Sequence, residues 1–334
     1  MIKQIEIKNF KSIESLKLKC KRVNVFIGEP NSGKSNILEA LSLFGQNITD
    51  QRYFSEIIRM KSTSDLFFNA NITNPIEVIT NLSKAEIKYA YNSNGAVLNQ
   101  FHLSYFLPNE DKAKAIHTIS PKGDFTGFQG DILSTMIRYY QFNRLKYFQN
   151  SFLPHLSPPY GENLPSVLLG NPEIKKWVSD LFRSFGFKLM LWPTENDLTM
   201  SKEVNDELYS YPYLTISETL QRLIFIIVAI KSANGATLLF DEPESNTFPM
   251  YTKFMAERIA NYTSNQFFLT SHNPYLVMSL FEKTPIDDIQ IFVTKMKNFK
   301  TDIFPINKNK FKLIHELNVD LFFNLDKLIS DDKD

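Results

Sequence analysis

The chain opens on alternation. Ile5 and Ile7 sit between charged or polar neighbours, and Val23, Val25 and Ile27 repeat the period of two, so both stretches predict half-buried strands. The second runs directly into a glycine-bearing turn, "GEPNSGKS", after which Ile37, Leu38, Leu41 and Phe44 fall at helical spacing. The opening therefore reads strand, strand, glycine loop, helix.

From about Asp50 to Ser210 the periodicity loosens. The strand-like pieces "EIKYAY" and "FHLSYF" come first. A polar loop, "SPKGDFTGFQGD", follows, then an aromatic-rich stretch that predicts helix, then the proline-marked "LPHLSPPYGENLP". No heptad run occurs, so a long coiled-coil arm is not expected. Order returns near Ile216. An apolar helix spans Ser217 to Lys231, a buried strand "ATLLF" ends at Asp241, and a helix starts after Phe248-Pro249. Strand "QFFLTSH" and helix "NPYLVMSLF" follow. Two more strand-like pieces, "IQIFVT" and "TDIFPI", precede a short helical tail ending in "SDDKD". The acidic pairs Asp287-Asp288 and Asp331-Asp332 read as loop and tail.

Composition narrows the class. With 43% hydrophobic and 22% charged residues, the 334-residue chain reads as an ordinary soluble globular protein with ample material for a core. A net charge of +1 excludes a molecule that binds nucleic acid by overall charge, though a local basic groove stays open. Cys20, the one cysteine, excludes an intrachain disulfide and fits a reducing compartment. The N-terminus lacks the apolar core of a signal peptide, and the longest apolar run, Leu223 to Ile230, is far short of a membrane span. A cytoplasmic protein without membrane contact is expected.

Three stretches carry chemistry. Residues Gly28, Glu29, Pro30, Asn31, Ser32, Gly33, Lys34 and Ser35, followed by Asn36, match G-x-x-x-x-G-K-[ST] between a strand and a helix. Backbone N–H groups there would curl around ATP phosphates, with Lys34 on the β and γ phosphates and Ser35 on Mg²⁺. In "LLFDEPES", acidic residues end a buried strand, where desolvation is costly unless a metal or partner charge offsets it. Asp241 would hold the Mg²⁺ hydration shell, and Glu242 would orient or deprotonate the attacking water. "LTSHNP" ends another buried strand, and His272 would contact the γ-phosphate or serve as a satisfied polar group.

Taken in order, glycine loop, "TISETLQRLIF", "DEPESNTFP" and "TSHNP" resemble the SMC/RecF/OLD-related branch of ABC-type ATPases, as does the opening "IEIKNFKSIESL". The motifs lie in roughly 1–45 and 210–280, with a looser match at "GENLPSVL". The resemblance implies an α/β fold, a P-loop NTPase with a mostly parallel core sheet, an antiparallel N-terminal sheet and an inserted mixed or helical region. Residues 1–48 and 211–334 would form the ATPase core and 49–210 an inserted lobe. It also implies a head-to-tail homodimer with two ATPs between subunits. Ser217 would then reach the partner's γ-phosphate with Thr219 and Arg222 beside it, and Asn9 and Phe10 would lie on the base side. Gln141 would sense the metal, or is a surface polar residue.

The signature departs from the transporter pattern at Thr219, where that pattern has glycine. Its Cβ crowds a close backbone approach, while its hydroxyl adds a donor. The two readings are an altered working signature and a plain core helix. As for output, the resemblance implies an ATP-driven conformational switch in DNA repair or anti-phage and anti-plasmid defence, beside a separately encoded effector and with DNA as a candidate partner. Alternatives are a P-loop kinase for a small molecule or nucleotide, a DNA-binding scaffold, and an OLD-type ATPase–nuclease. The stretch after His272 is too short for the nuclease, and Asp241-Glu242 suits water better than a kinase acceptor.

Overall fold

A computed structural model describes residues 1–45, 51–91, 97–131, 136–307, 309, 311 and 321–329. The pair Asp331-Asp332 lies outside them. In chain order the elements begin with β1 (Gln4–Phe10), β2 (Ile13–Lys19), β3 (Val23–Gly28), α1 (Lys34–Ser42) and α2 (Gln51–Ile57). Next come β4 (Ile76–Thr80), β5 (Lys84–Tyr91), β6 (Val97–Phe106), β7 (Ala115–Ile119), β8 (Phe125–Gly130) and β9 (Ile137–Tyr140). Then follow α3 (Leu164–Gly170), α4 (Pro172–Ser184), β10 (Lys188–Trp192), β11 (Asp197–Val204) and β12 (Glu207–Pro212). The last group is α5 (Glu218–Ser232), β13 (Thr237–Asp241), α6 (Pro249–Asn261), β14 (Gln266–Thr270), α7 (Pro274–Lys283), β15 (Ile289–Lys297), β16 (Lys300–Pro305) and α8 (Leu325–Ile329).

Six strands form the central sheet in the order β16-β15-β3-β14-β13-β9, parallel throughout except for β16. The middle strands are covered on both faces, which is why "VNVFIG" and "QFFLT" are buried at every position. Side chains of β3 still alternate: Val23, Val25 and Ile27 join one core with α5, α6 and α7, and Phe26 joins the other. That second core packs Ile37, Leu38 and Leu41 of α1 against Ile5, Ile7, Phe10 and Ile13. These last belong to a seven-stranded antiparallel sheet ordered β2-β1-β4-β5-β6-β7-β8. Helix α1 is thus sandwiched between two sheets, with its N-terminus at the C-terminal ends of the parallel strands.

The described strands within 49–210 fall into three sheets. Strands β4 to β8 extend the antiparallel N-terminal sheet, β9 pairs with β13 at the edge of the central sheet, and β10 to β12 form a separate antiparallel sheet. The aromatic-rich stretch expected to be helical begins instead with β9, whose four residues are all buried. A strand covered on both faces shows no alternation, so its period of two cannot be read from the sequence. The longest helix among the described residues is α5, with 15 residues, and no helix there is long and apolar enough to cross a membrane.

Candidate active site at the strand ends

The turn from β3 into α1 is built on close approach. A side chain at Gly28 would meet the Thr294 carbonyl on β15, and one at Gly33, where φ is 93°, would meet the Thr301 side chain on β16. Two hydroxyl pairs reach out from the same hairpin: Thr294 to Ser32 of the loop (2.6 Å) and Thr301 to Ser12 of the β1–β2 turn (2.6 Å). Asn36 donates to Ser12 (2.7 Å), tying the first turn of α1 to the β1–β2 turn. Glu29, Pro30 and Asn31 form the exposed tip. Helix α1 has no side-chain cap, so its first N–H groups stay open to an anion.

Lys34 folds back into this loop, donating to the carbonyls of Gly28 (3.0 Å) and Glu29 (2.8 Å). Burial lowers its pKa to about 8, against the opposing pull of Glu242 and Asp241. Across from it, Ser35 Oγ donates to Asp241 Oδ1 (3.1 Å), and the Thr270 hydroxyl donates to the same oxygen. The Glu242 N–H donates to Thr270 Oγ1 (3.0 Å), with Glu242 itself at a φ of 47°. That left-handed conformation is uncommon for a side chain of this size and marks a position fixed by its surroundings. Glu242 Oε1 lies 2.8 Å from His272 Nε2, and Ser245 donates to Glu242 Oε2 (3.2 Å). Burial lowers the His272 pKa, assisted by Lys34 and opposed by Glu242 and Asp241. The ends of β3, β13 and β14 therefore bring Lys34, Ser35, Asp241, Glu242 and His272 into one connected group.

Comparison with known proteins adds to this geometry. A family model described as "AAA ATPase domain" matches residues 1–154, and one described as "AAA domain, putative AbiEii toxin, Type IV TA system" matches 131–279. An "ATP/GTP phosphatase" of Helicobacter pylori is 20% identical over 320 residues, spanning 82% of this chain and 85% of that protein. The "DNA replication and repair protein RecF" of Lactococcus lactis subsp. cremoris is 37% identical over 83 residues, 23% of either chain. Among solved structures, an SMC head bound to the C-winged helix domain of ScpA superposes with a TM-score of 0.53 at 16% identity, over 94% of this chain and 99% of that one. That likeness is one of fold.

Two AAA ATPase family models matched in succession, with local likeness to RecF, make the chain similar to ABC-type P-loop ATPases of the SMC/RecF-related branch. The signature-like stretch has its own set of bonds. Ser217 caps α5, its Oγ accepting the Leu220 N–H at 3.4 Å, and is itself exposed. Thr219 is turned to another task, its hydroxyl donating to the Asn246 carbonyl (3.0 Å). Asn246 returns a bond from Nδ2 to Glu218 (3.2 Å), and Glu218 pairs with Arg222 (3.1 Å), whose guanidinium stands 4.4 Å from the Phe142 ring centroid. The start of α5 is thereby clasped to the turn that follows Glu242.

Gln141 is exposed and follows Tyr140–Phe240, the last pair of the β9–β13 register, with its N–H donating to the Pro159 carbonyl (3.0 Å). Asn9 and Phe10 do not share a surface. Phe10 is fully buried among the core side chains, so its ring offers nothing to a base, while Asn9 bonds to the carbonyls of Asn71 (3.3 Å) and Asn74 (2.7 Å). What the motifs did not single out are the supporting hydroxyls, Ser12, Thr270, Thr294 and Thr301, and one buried carboxyl, Glu244. Small hydroxyls at strand ends are common in any sequence, and only pairing across the sheet shows which ones act.

Proposed function

We propose that this ATPase is a conformational switch: it hydrolyses ATP with Mg²⁺, closes as a head-to-tail homodimer around two nucleotides, and opens after hydrolysis. The observation that carries the reading is the connected group at the strand ends, in which a lysine, a hydroxyl and two carboxylates surround an uncapped helix N-terminus. Lys34 would exchange the Gly28 and Glu29 carbonyls for β and γ phosphate oxygens. Glu242 would hold the attacking water, and His272, released from Glu242, would read the γ-phosphate. The oxygens of Ser35 and Asp241 suit a hard cation such as Mg²⁺, and Gln141, next in the chain after β9, would add a further oxygen. Bound with ATP, the ion would offset charge on the transferring phosphoryl group.

Ser217, exposed at the start of α5, would complete the site of the partner subunit. We place the output in DNA repair or in defence against phage and plasmids, exerted through a separately encoded effector. Support comes from the RecF relative and from an SMC head solved with ScpA, a separate protein. Phosphate release from ATP with no second substrate tests the enzymatic core. The intact protein should release phosphate, and Glu242→Gln should do so at least about a hundredfold more slowly while still binding ATP. Equal rates in the two proteins would contradict the role given to Glu242.

A further inference from the structure

Two bridges join the turn after β13 to the turn after β14. The outer one runs from His272 Nε2 to Glu242 Oε1, between side chains that are each 39% exposed. The inner one lies beneath it: Ser271 Oγ donates to Glu244 Oε1 at 2.5 Å. Ser271 is fully buried and Glu244 is 4% exposed. Nothing in the nucleotide chemistry described above uses Glu244.

The inner bridge is anchored on both sides. The Asn273 N–H donates to Ser271 Oγ (3.0 Å), and Asn273 caps α7 by accepting the Tyr275 N–H (2.8 Å). The Ser271 N–H donates to the Phe26 carbonyl (3.1 Å), just before the phosphate loop. On the other side the Glu244 carbonyl accepts both the N–H (3.0 Å) and the hydroxyl (2.6 Å) of Thr247, which shapes the turn leading into α6. Backbone N–H groups of Glu244 and His272 also favour the charged carboxylate. Its second oxygen, Oε2, is buried without a hydrogen-bond partner among the described residues. Burial raises the Glu244 pKa to about 7, with Ser271 opposing and Glu242 adding to the rise.

A buried carboxyl with an orphan oxygen weakens a fold, and a stable core gains nothing from keeping one. Its place suggests why it is there. The outer bridge has to open when His272 turns to phosphate and Glu242 to water. The inner bridge does not, and it fixes the distance between the backbones that carry those two side chains. We propose that Glu244 is a positioning residue for hydrolysis, holding the loops of Glu242 and His272 in register through Ser271. The inference rests on the ATPase reading given above.

The test compares Glu244→Ala, Glu244→Gln and Ser271→Ala with the intact protein. A lost inner bridge should cut kcat about tenfold or more in Glu244→Ala, with KM for ATP within about twofold. Glu244→Gln, whose amide oxygen still accepts from Ser271, should stay within about threefold of the intact protein. The Glu244→Ala/Ser271→Ala double variant should be no slower than Glu244→Ala, because both remove one bridge. Ser271→Ala keeps the test open if Glu244→Ala fails to fold. A second readout needs no turnover: in nucleotide-free protein the His272 ring resonance should move in Glu244→Ala and Ser271→Ala but not in Glu244→Gln. Unchanged kcat and unmoved resonance in the alanine variants, or a glutamine variant as slow as alanine, would overturn the proposal. If the intact protein releases no phosphate while the alanine variants still shift the His272 resonance, the ATPase reading falls and Glu244 is left holding the two loops in register without a part in hydrolysis.

Discussion

The phosphate end and the signature end of the molecule are built on opposite plans. At the phosphate end the chemical side chains answer to groups in the same chain: Lys34 to two carbonyls, Ser35 and Thr270 to Asp241, His272 to Glu242. At the signature end Ser217 stands exposed on a 3.4 Å cap bond, while its neighbours Thr219, Glu218 and Arg222 face inward to Asn246 and Phe142. The first arrangement is closed on itself and waits only for a ligand to replace its internal bonds. The second leaves one hydroxyl and a helix N-terminus facing out, held rigid from behind. A site that is finished in cis and a group that is offered outward are the two halves that a nucleotide sandwich between subunits requires.

The contrast can be broken at the outward half first. Ser217→Arg should leave ATP binding to the isolated chain within about threefold and lower phosphate release about a hundredfold, because it removes only the partner's contribution. A variant that releases phosphate at the original rate would make α5 a plain core helix. The inward half has its own signature in pH. Lys34 has a pKa of about 8 in the free protein because it is buried, and phosphate binds its charged form. Raising the pH above about 8 deprotonates the free protein, so ATP affinity should fall by up to about tenfold per unit, whereas below that pH Lys34 adds no slope. Lys34→Arg should flatten the curve, as measured by the Kd for ATP between about pH 7 and 9.5.

The smallest effect concerns the clasp between the halves. Thr219→Val keeps the shape and deletes the bond to the Asn246 carbonyl, worth about 0.5–1.5 kcal/mol. If the clasp transmits closure, kcat should fall about two- to tenfold with ATP affinity unchanged. An unaltered kcat would reduce Thr219 to a spacer.

Much of the phosphate end is legible in the sequence because its constraints are local. Gly33, Lys34 and Ser35 are neighbours in the chain, and a lysine that follows a glycine turn between strand and helix is placed to meet phosphate. Asp241 and His272 stand out because each ends an apolar run, where a polar group is costly. Thr219 is visible as a departure, but the carbonyl it holds, on Asn246, is not, since the bond spans two elements. Glu244 is hidden for the same reason: its partner Ser271 follows another strand, and nothing in "DEPES" separates a buried glutamate from an exposed one. Strand β9 hides behind its own burial, and Phe10, expected beside a base, is claimed by the core. Local chemistry can be read along the chain; pairing across the sheet has to be seen.

If ATP joins two copies of this chain through the half that each leaves unfinished, mass in solution will show it, measured for the intact protein and for Glu242→Gln with and without ATP and Mg²⁺. A dimer should form or tighten with ATP, persist in Glu242→Gln, where hydrolysis is blocked, and be lost in Ser217→Arg. ATP binding with no change of mass in either protein would rule that joining out.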